Sequence, residues 1–275
     1  MNNQIIQLIQ SAIQFGTVIM FGAIGEILTE KSGNLNLGVP GIMYLGGIAG
    51  LAASFLYEFN NPDPSKLVCL LLSFLAAFLA AALGGLLYSF LTITLRANQN
   101  VTGLTLTIFG GGVANFFGGT LNTMAGGVGH ISVATTSSVY RANIPGLSTM
   151  GVPGRLLFSY GFMVYLAIVV AIVVWVVLRK TVFGYELQAC GLNRNAAEYA
   201  GINAQKNIVL SMVISGALAG LGGGFYFLAG GGQLNLLQQI SSMGFDGISV
   251  ALLASLHPVG CIFSGLFISH LSTGG

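Results

Sequence analysis

Eight long stretches of hydrophobic residues, separated by polar breaks, dominate the pattern along the chain. A bilayer core about 30 Å thick requires roughly 20 apolar residues in a helix, and the first six stretches reach or approach that length. The expected fold class is therefore all-α, a polytopic helical membrane bundle. We predict about eight transmembrane helices, at residues 5–28, 41–59, 67–95, 101–119, 157–178, 207–230, 243–256 and 258–273, of which the last two are short.

Composition agrees with a single membrane domain over residues 1–275. Hydrophobic residues make up 54% of the chain and charged residues 6%, with a mean hydropathy of +0.85, whereas soluble domains carry about 25% charged residues. The net charge of +2 and the lack of a basic patch with interleaved aromatics give no indication of nucleic-acid binding. The three cysteines show no metal-ligand or CxxC spacing, so we expect free thiols.

The distribution of Lys and Arg predicts the orientation of the helices, because short cytoplasmic loops are enriched in these residues. If the spans alternate, segment 179–206 lies in the cytoplasm and the amino terminus lies outside, provided that segment 29–40 is a loop. The cytoplasmic side then collects Lys31, Arg96, Arg179, Lys180, Arg194 and Lys206, and the other side collects Lys66, Arg141 and Arg155.

Segment 25–41, GEILTEKSGNLNLGVPG, is polar and glycine-rich between two apolar helices. It is either a cytoplasmic turn or a transmembrane helix broken near residues 29–40, with asparagine amides facing a solute cavity. Asn115 lies near mid-membrane, so its amide should bond another helix or face a wet pathway. We predict a substrate pathway that suits hydroxyls or base edges and includes Asn34, Asn36, Tyr44 and Asn115.

Segment 179–206 alternates short helical stretches with glycine breaks. The pattern predicts two short helices within residues 184–198, with Gly191 ending the first in a left-handed conformation. This segment is either a connector on the membrane surface or a docking element, in which small residues permit close approach to a cytoplasmic partner. The residues that we assign to coupling are Gly184, Glu186, Ala189, Gly191, Asn193, Arg194, Ala196 and Ala197.

Small residues recur at every fourth position in two of the predicted spans. Such rows form flat helix faces that allow membrane helices to approach closely. We therefore expect tight helix packing along two rows, Gly216, Gly220 and Gly224 in one span and Ala76, Ala80 and Gly84 in another.

Sequence patterns of enzymes and of other carriers are missing. No lysine follows a glycine, so the common ATP-cradling loop is absent and ATP must be hydrolysed elsewhere. No cluster of His, Asp or Glu indicates a membrane enzyme or a metal, so we expect a transport protein with no cofactor of its own. No unambiguous ionisable residue lies deep inside a span, which argues against a proton relay. Two alternatives remain: an ion-coupled secondary transporter with its ion near Asn34, and a non-transporting scaffold.

Segment 25–41 and segment 181–202, TVFGYELQACGLNRNAAEYAGI, resemble the permeases of ABC importers for simple sugars, branched-chain amino acids and nucleosides. With SGALAG at 215–220, the second segment is most similar to the guanosine and purine-nucleoside permeases of Gram-positive bacteria. Pro40 and Glu186 depart from the simple-sugar pattern, where an acidic and a basic residue are usual. Because this family tends to continue beyond the equivalent of residue 275, we expect the carboxyl-terminal span to be incomplete.

The resemblance implies a nucleoside importer in the bacterial plasma membrane. Its expected parts are a second homologous permease that forms a heterodimer with this chain, a cytoplasmic ABC ATPase that holds ATP and Mg²⁺, and an extracellular substrate-binding lipoprotein. In this family the loop carried here by residues 184–198 docks in a groove of the ATPase. A simple-sugar permease of the same importer class is the alternative.

Overall fold

The structure is a computed structural model that describes residues 2–127, 129–143, 151–234 and 237–274. These residues form twelve α-helices, and their only β pairing is one bridge between His130 and Gln233. The predicted all-α class is confirmed. The helices are α1 (Asn2–Lys31), α2 (Val39–Asn60), α3 (Lys66–Ser89, followed by a π-helical turn at Phe90–Thr94), α4 (Gln99–Met124), α5 (Ala134–Tyr140), α6 (Gly151–Phe158), α7 (Phe162–Lys180), α8 (Val182–Leu192), α9 (Arg194–Tyr199), α10 (Ala204–Ala229), α11 (Leu237–Leu253) and α12 (Gly260–Gly274).

Six helices of the described residues are long and apolar enough to cross a membrane, namely α1, α2, α3 with its π-helical turn, α4, α7 and α10. They correspond to the first six predicted spans. The last two predicted spans form α11 and α12, which have 17 and 15 residues. At 1.5 Å per residue such helices are only about 23–26 Å long. The polytopic bundle is thus confirmed, with two helices shorter than a full span.

The alternative of one transmembrane helix broken near residues 29–40 is wrong. Helix α1 continues to Lys31 and α2 begins at Val39, and each is long enough to span the membrane by itself. Pro40 stands in the first turn of α2, where its missing N–H would have no partner within the helix in any case. The two helices are joined by residues 32–38, which we call the 32–38 turn.

Helix α10 packs against α1, α2 and α3, and most of its residues are buried. Its small residues bring the α3 backbone very close. A Cβ atom at Gly216 would lie 2.7 Å from the carbonyl oxygen of Ala81, and one at Gly220 would lie 2.9 Å from that of Ala77. The predicted close packing of the α10 row is therefore confirmed.

On α3, the predicted row of small residues packs tightly at Gly84 but not at Ala76 and Ala80, and it does not face α10. Gly84 faces α2, where a Cβ atom would lie 3.0 Å from a methyl group of Leu45. Ala76 and Ala80 are only half-buried. Because small residues occupy neighbouring rows of α3, the partner helix decides which row is used. The row that faces α10 is Ala77, Ala81 and Gly85.

Polar side chains set the starts of the helices at one end of the bundle. In each case the side-chain oxygen of the preceding residue accepts a hydrogen bond from a backbone N–H in the first turn. That N–H group would otherwise have no partner within the helix. These N-caps are Asn98 for α4, Thr181 for α8, Asn193 for α9 and Asn203 for α10.

The connections between helices collect at two opposite ends, as an alternating topology requires. At one end, the 32–38 turn contacts Gly191 of α8 and Gln99 of α4. At the other end, the Glu58 carboxylate accepts hydrogen bonds from the backbone N–H groups of Thr135 and Thr136, at 3.1 and 2.7 Å. That carboxylate holds α5 across the bundle by satisfying its first free N–H groups. The cytoplasmic location of the first end remains a prediction.

Candidate functional site

The segment α8–α9 forms a surface element at the same end as the 32–38 turn. Its two helices cover residues 182–192 and 194–199, so the prediction of two short helices within 184–198 is confirmed. Asn193 ends α8 and caps α9, since its side chain accepts a hydrogen bond from the backbone N–H of Ala196. One residue therefore makes the tight turn between the helices.

Three of the small residues assigned to coupling pack inside the chain rather than at its surface. A Cβ atom at Gly184 would lie 2.6 Å from the Cα of Leu178 in α7. One at Gly191 would overlap the carbonyl oxygen of Lys31, and Ala197 is buried. Gly191 also lies within α8 and its φ is not positive, so the predicted left-handed ending is wrong. These small residues therefore allow the α8–α9 segment to pack closely against other parts of the same chain.

The outward face of α8–α9 combines an ion pair with apolar side chains. Arg194 Nε lies 3.0 Å from Glu198 Oε1, one helical turn further on, and both side chains are nearly half exposed. Ala196 is also exposed. Leu192 and Tyr199 are 89% and 94% exposed, and the sequence analysis did not select them. These exposed apolar groups are available for contact with a partner protein or with the membrane surface.

Polar contacts fix α8 to the bundle. Glu186, assigned to coupling, accepts a 2.7 Å hydrogen bond from the side-chain amide of Asn207 in α10, while Ala189 is half-buried. Burial raises the pKa of the Cys190 thiol, and the nearby Glu186 carboxylate raises it further. A protonated, buried thiol reacts poorly with labelling reagents. Cys69 and Cys261 are buried too.

These buried cysteines allow a direct test of topology. Arg194 is exposed on α9, and Asp63 is exposed in the connection between α2 and α3 at the opposite end. We expect an impermeant thiol reagent to label an Asp63→Cys variant on intact cells, and to label Arg194→Cys only after the cells are opened. Labelling of Arg194→Cys on intact cells would show that the α8–α9 segment lies outside.

The polar side chains of the 32–38 turn are buried, and they form hydrogen bonds within the turn and to neighbouring helices. Asn34 donates its side-chain amide to the carbonyl and hydroxyl oxygens of Ser32, at 3.1 and 3.0 Å. Asn36 is fully buried, and its side-chain oxygen accepts a hydrogen bond from the backbone N–H of Gly38. Neither side chain is exposed in this conformation. Their predicted role in solute passage remains a prediction.

Glu26 is a buried carboxyl group that the sequence analysis did not single out. It lies in the last two turns of α1, with no exposed surface, and one oxygen accepts a 2.9 Å hydrogen bond from the backbone N–H of Asn36. Its other oxygen and the amide nitrogen of Asn36 have no partner among the described protein groups. Because Glu26 lies near the end of α1, the expectation that no unambiguous ionisable residue lies deep inside a span stays a prediction.

Tyr44 and Asn115 lie close together, away from the other two predicted pathway residues. The Tyr44 ring lies 3.6 Å from where a Cβ atom would stand at Gly111 of α4. Asn115, one turn further along, donates its side-chain amide to the Gly111 carbonyl at 2.9 Å. Asn34 instead bonds Gln99 at the start of α4, about 24 Å from Asn115 at 1.5 Å per residue. The four residues therefore form two separate pairs along the length of α4, and their common role in a pathway stays a prediction.

The exposed face of α4 is more polar than that of α3. On α3 the outward side chains are large and apolar, as expected for contact with lipid. On α4 leucine, isoleucine and phenylalanine alternate with hydroxyls, an amide and glycines, and Asn115 bonds its own helix rather than a neighbouring one. An exposed amide is costly in hydrocarbon. The small and polar members of this α4 face are Thr105, Gly112, Asn115, Gly119, Thr120 and Thr123.

A separate groove of about 410 Å³ lies between α2, α3 and α4. Its lining consists of apolar residues, among them Leu45, Ile48 and Phe109, and offers no side-chain donor or acceptor to a polar solute. Among the described residues, no group of three or more His, Cys, Asp or Glu side chains could hold a metal ion. The region around Tyr44 of α2 and Asn115 of α4 is therefore a better candidate than this groove for contact with a polar solute.

Comparisons with known proteins give a consistent result over nearly the whole chain. The family described as "Branched-chain amino acid transport system / permease component" matches residues 8–275. The guanosine ABC transporter permease protein NupQ of Bacillus subtilis (strain 168) is 30% identical over 268 residues, covering 94% of this chain and 79% of NupQ.

Two permease proteins of a second species also match. In Lactococcus lactis subsp. cremoris (strain MG1363), the nucleoside ABC transporter permease protein NupC is 30% identical over 273 residues, or 98% of this chain and 83% of NupC. NupB of the same strain, also a nucleoside ABC transporter permease protein, is 44% identical over 111 residues, or 40% of this chain and 30% of NupB. No solved structure matches the chain significantly.

Proposed function

The chain belongs to the family of permease components of branched-chain amino acid transport systems, and on that premise we propose that it is the membrane subunit of an ABC importer that takes up nucleosides. The observation that carries this proposal is the 30% identity to NupQ and NupC over nearly its full length. As a permease subunit, the chain forms part of a translocation path and performs no chemical reaction itself.

The importer has further parts in this proposal. A second, homologous permease completes the path, which is supported by the match to both NupB and NupC of one strain. A separate cytoplasmic ABC ATPase binds ATP and Mg²⁺, since the chain itself has no phosphate-binding loop. An extracellular lipoprotein delivers the nucleoside to the end of the bundle that carries α5. The complex resides in the bacterial plasma membrane.

We assign the ATPase contact to the outward face of α8–α9. Its charged pair, Arg194 with Glu198, supplies polar contacts, and Leu192 and Tyr199 supply apolar surface that a protein groove would cover. The inward packing of Gly184 and Gly191 keeps the element rigid against the bundle. A rigid element can transmit a displacement, whereas a flexible loop would absorb it.

Changing Arg194→Glu should weaken ATPase binding without unfolding the permease. An exposed pair one turn apart on a helix contributes only about 0.3–0.5 kcal/mol to stability, so its loss is tolerated. The reversed charge, however, removes a planar donor from the contact surface. We expect the ATPase that co-purifies with the permease to fall several-fold, together with uptake.

The matched control is Lys66→Glu, which makes the same change in charge at the opposite end of the bundle, where Lys66 is exposed. It should leave co-purification and uptake unchanged. If Arg194→Glu behaved like this control, the outward face of α9 would not be the ATPase contact.

We assign the exposed α4 face to the translocation path and to the side that meets the second permease. The side-chain amide of Asn115 would be poorly placed against lipid, whereas a polar solute and a partner helix both suit this face of amide, hydroxyl and small residues. Tyr44 lies beside this face across Gly111. In this proposal the α4 face and Tyr44 bind the hydroxyls and base edges of a nucleoside as it passes.

Replacing Asn115→Leu tests that assignment. Facing lipid, leucine would be neutral or stabilising; facing the path, it removes a polar contact, and we expect uptake to fall about tenfold at unchanged abundance. Leu79→Ala, at an exposed position of α3, is the control and should have little effect on uptake. Unchanged uptake by Asn115→Leu would place this face against lipid.

The substrate class is tested by uptake in cells that lack the gene for this chain. Restoring the gene should restore uptake of radiolabelled guanosine or another nucleoside, and the unlabelled nucleoside should compete. Restored uptake of a simple sugar, with no nucleoside uptake and no competition by nucleosides, would replace the proposed substrate by the sugar alternative.

A further inference from the structure

The 32–38 turn lies between the α8–α9 segment and α4. On one side, a Cβ atom at Gly33 would lie 3.0 Å from the Cα of Gly191, so the α8 backbone rests directly on the turn. Two glycines in backbone contact leave no flexible side chain between the elements. A displacement of α8 must therefore move the turn or break this contact.

On its other side, the turn contacts one row of α4. Three residues spaced four apart, and so on one face of the helix, each contact a different part of it. At Gly103 a Cβ atom would lie 2.8 Å from the backbone nitrogen of Gly38, and the Thr107 hydroxyl donates to the Leu37 carbonyl at 3.0 Å. The first member of the row is Gln99.

Gln99 makes two hydrogen bonds to the turn. Its side-chain amide donates to Asn34 Oδ1 at 2.7 Å, and its side-chain oxygen accepts from the backbone N–H of Leu35 at 3.2 Å. The Leu35 carbonyl in turn accepts a 2.7 Å hydrogen bond from the Tyr88 hydroxyl. Through both polar atoms of its side-chain amide, the part-buried Gln99 joins the first turn of α4 to the 32–38 turn. The same helix carries Asn115.

We propose that Asn34 and Gln99 are positioning residues of the transport cycle, which join the 32–38 turn to α4 so that a displacement of α8–α9 reaches the translocation path. This inference rests on the proposed function, because it needs an ATPase that moves α8–α9. Neither residue touches the solute or ATP in this role. Together they determine how many solute molecules are carried for each ATP that is hydrolysed.

The experiment uses the complete importer in proteoliposomes, with nucleoside uptake and ATP hydrolysis measured in the same vesicles. We expect Gln99→Ala and Asn34→Ala each to lower uptake per ATP about tenfold while ATP hydrolysis continues. Since both remove one shared contact, the combined effect in the double variant should be smaller than the product of the two single effects. Asn100→Ala, an exposed amide in the same helical turn, is the control and should keep the normal ratio.

A conservative variant separates coupling from folding. Gln99→Glu keeps the size of the side chain and an acceptor for the Leu35 N–H, but it replaces the donor to Asn34 by a carboxylate oxygen. We therefore expect it to keep normal abundance and ATP hydrolysis, and to lose uptake per ATP as Gln99→Ala does. An unchanged ratio in Gln99→Ala, or a parallel loss of uptake and hydrolysis in every variant including Gln99→Glu, would overturn the proposal. If the proposed function itself were wrong, the result would be a different one, because the unaltered complex would show no ATP-driven nucleoside uptake.

Discussion

Gly191→Val should abolish most uptake while leaving the permease inserted in the membrane. A side chain at Gly191 would overlap the Lys31 carbonyl oxygen and lie 3.0 Å from the backbone nitrogen of Gly33. Both neighbours are backbone atoms and cannot rotate away, so α8 must separate from the 32–38 turn. Overpacking of this kind costs about 1–3 kcal/mol. We expect nucleoside uptake to fall at least about tenfold.

The control for this substitution is Ala200→Val. Ala200 follows α9 and is exposed, so an added isopropyl group meets solvent rather than backbone. Uptake should remain normal, and membrane abundance should be similar for both variants. Normal uptake by Gly191→Val would show that the α8–α9 segment is a passive connector.

Gly220→Leu should prevent stable folding of the bundle. A Cβ atom at Gly220 would overlap the Cβ of Ala81 and lie 2.9 Å from the Ala77 carbonyl oxygen. Helices α3 and α10 would have to separate along the centre of the molecule, which we expect to cost about 3 kcal/mol or more. The measurement is the amount of monodisperse permease recovered after extraction in detergent, which should fall to a small fraction of the wild-type level.

Gly112→Leu is the matched control, because it places the same side chain in another span. No atom lies within 4 Å of a Cβ at Gly112, so recovery of this chain, expressed without the second permease, should remain near the wild-type level. Equal recovery of the Gly220 and Gly112 variants would contradict the central packing of α3 against α10.

Hydrophobic periodicity was enough to predict the membrane helices and the short helices of segment 179–206. The reason is local: apolar runs fix the spans, and Thr181, Asn193 and Asn203 cap α8, α9 and α10 through hydrogen bonds within the first turn of each helix. The choice between a broken helix and a turn at residues 32–38 was not local. It depends on whether α1 and α2 each reach full length.

Packing partners could not be predicted, because they depend on residues far apart in the chain. Ala76 and Ala77 begin two adjacent rows of small residues on α3, and only the position of α10 selects the second. The sequence likewise indicates that some segment packs closely against Gly191, but it does not indicate which segment. The structure places that neighbour inside the chain, at Lys31 and Gly33, while Leu192 and Tyr199 are exposed.

Glu26 shows a second limit of the sequence. Its neighbours Gly25, Ile27 and Leu28 give no sign of a polar partner, and that partner is the backbone N–H of Asn36 across the turn. A buried carboxyl group in a span is the kind of residue that ion-coupled carriers use. The source of energy for transport is therefore the property of this permease that most needs direct measurement.

The decisive measurement compares energy sources for nucleoside uptake in proteoliposomes. One preparation contains this chain, the second permease, the ATPase and the binding protein; the other contains this chain alone. We predict uptake only in the complete preparation, only with ATP supplied to the ATPase, and at the same rate after proton and sodium gradients are collapsed. Uptake by the chain alone, driven by an ion gradient without nucleotide, would contradict the account and identify a secondary transporter.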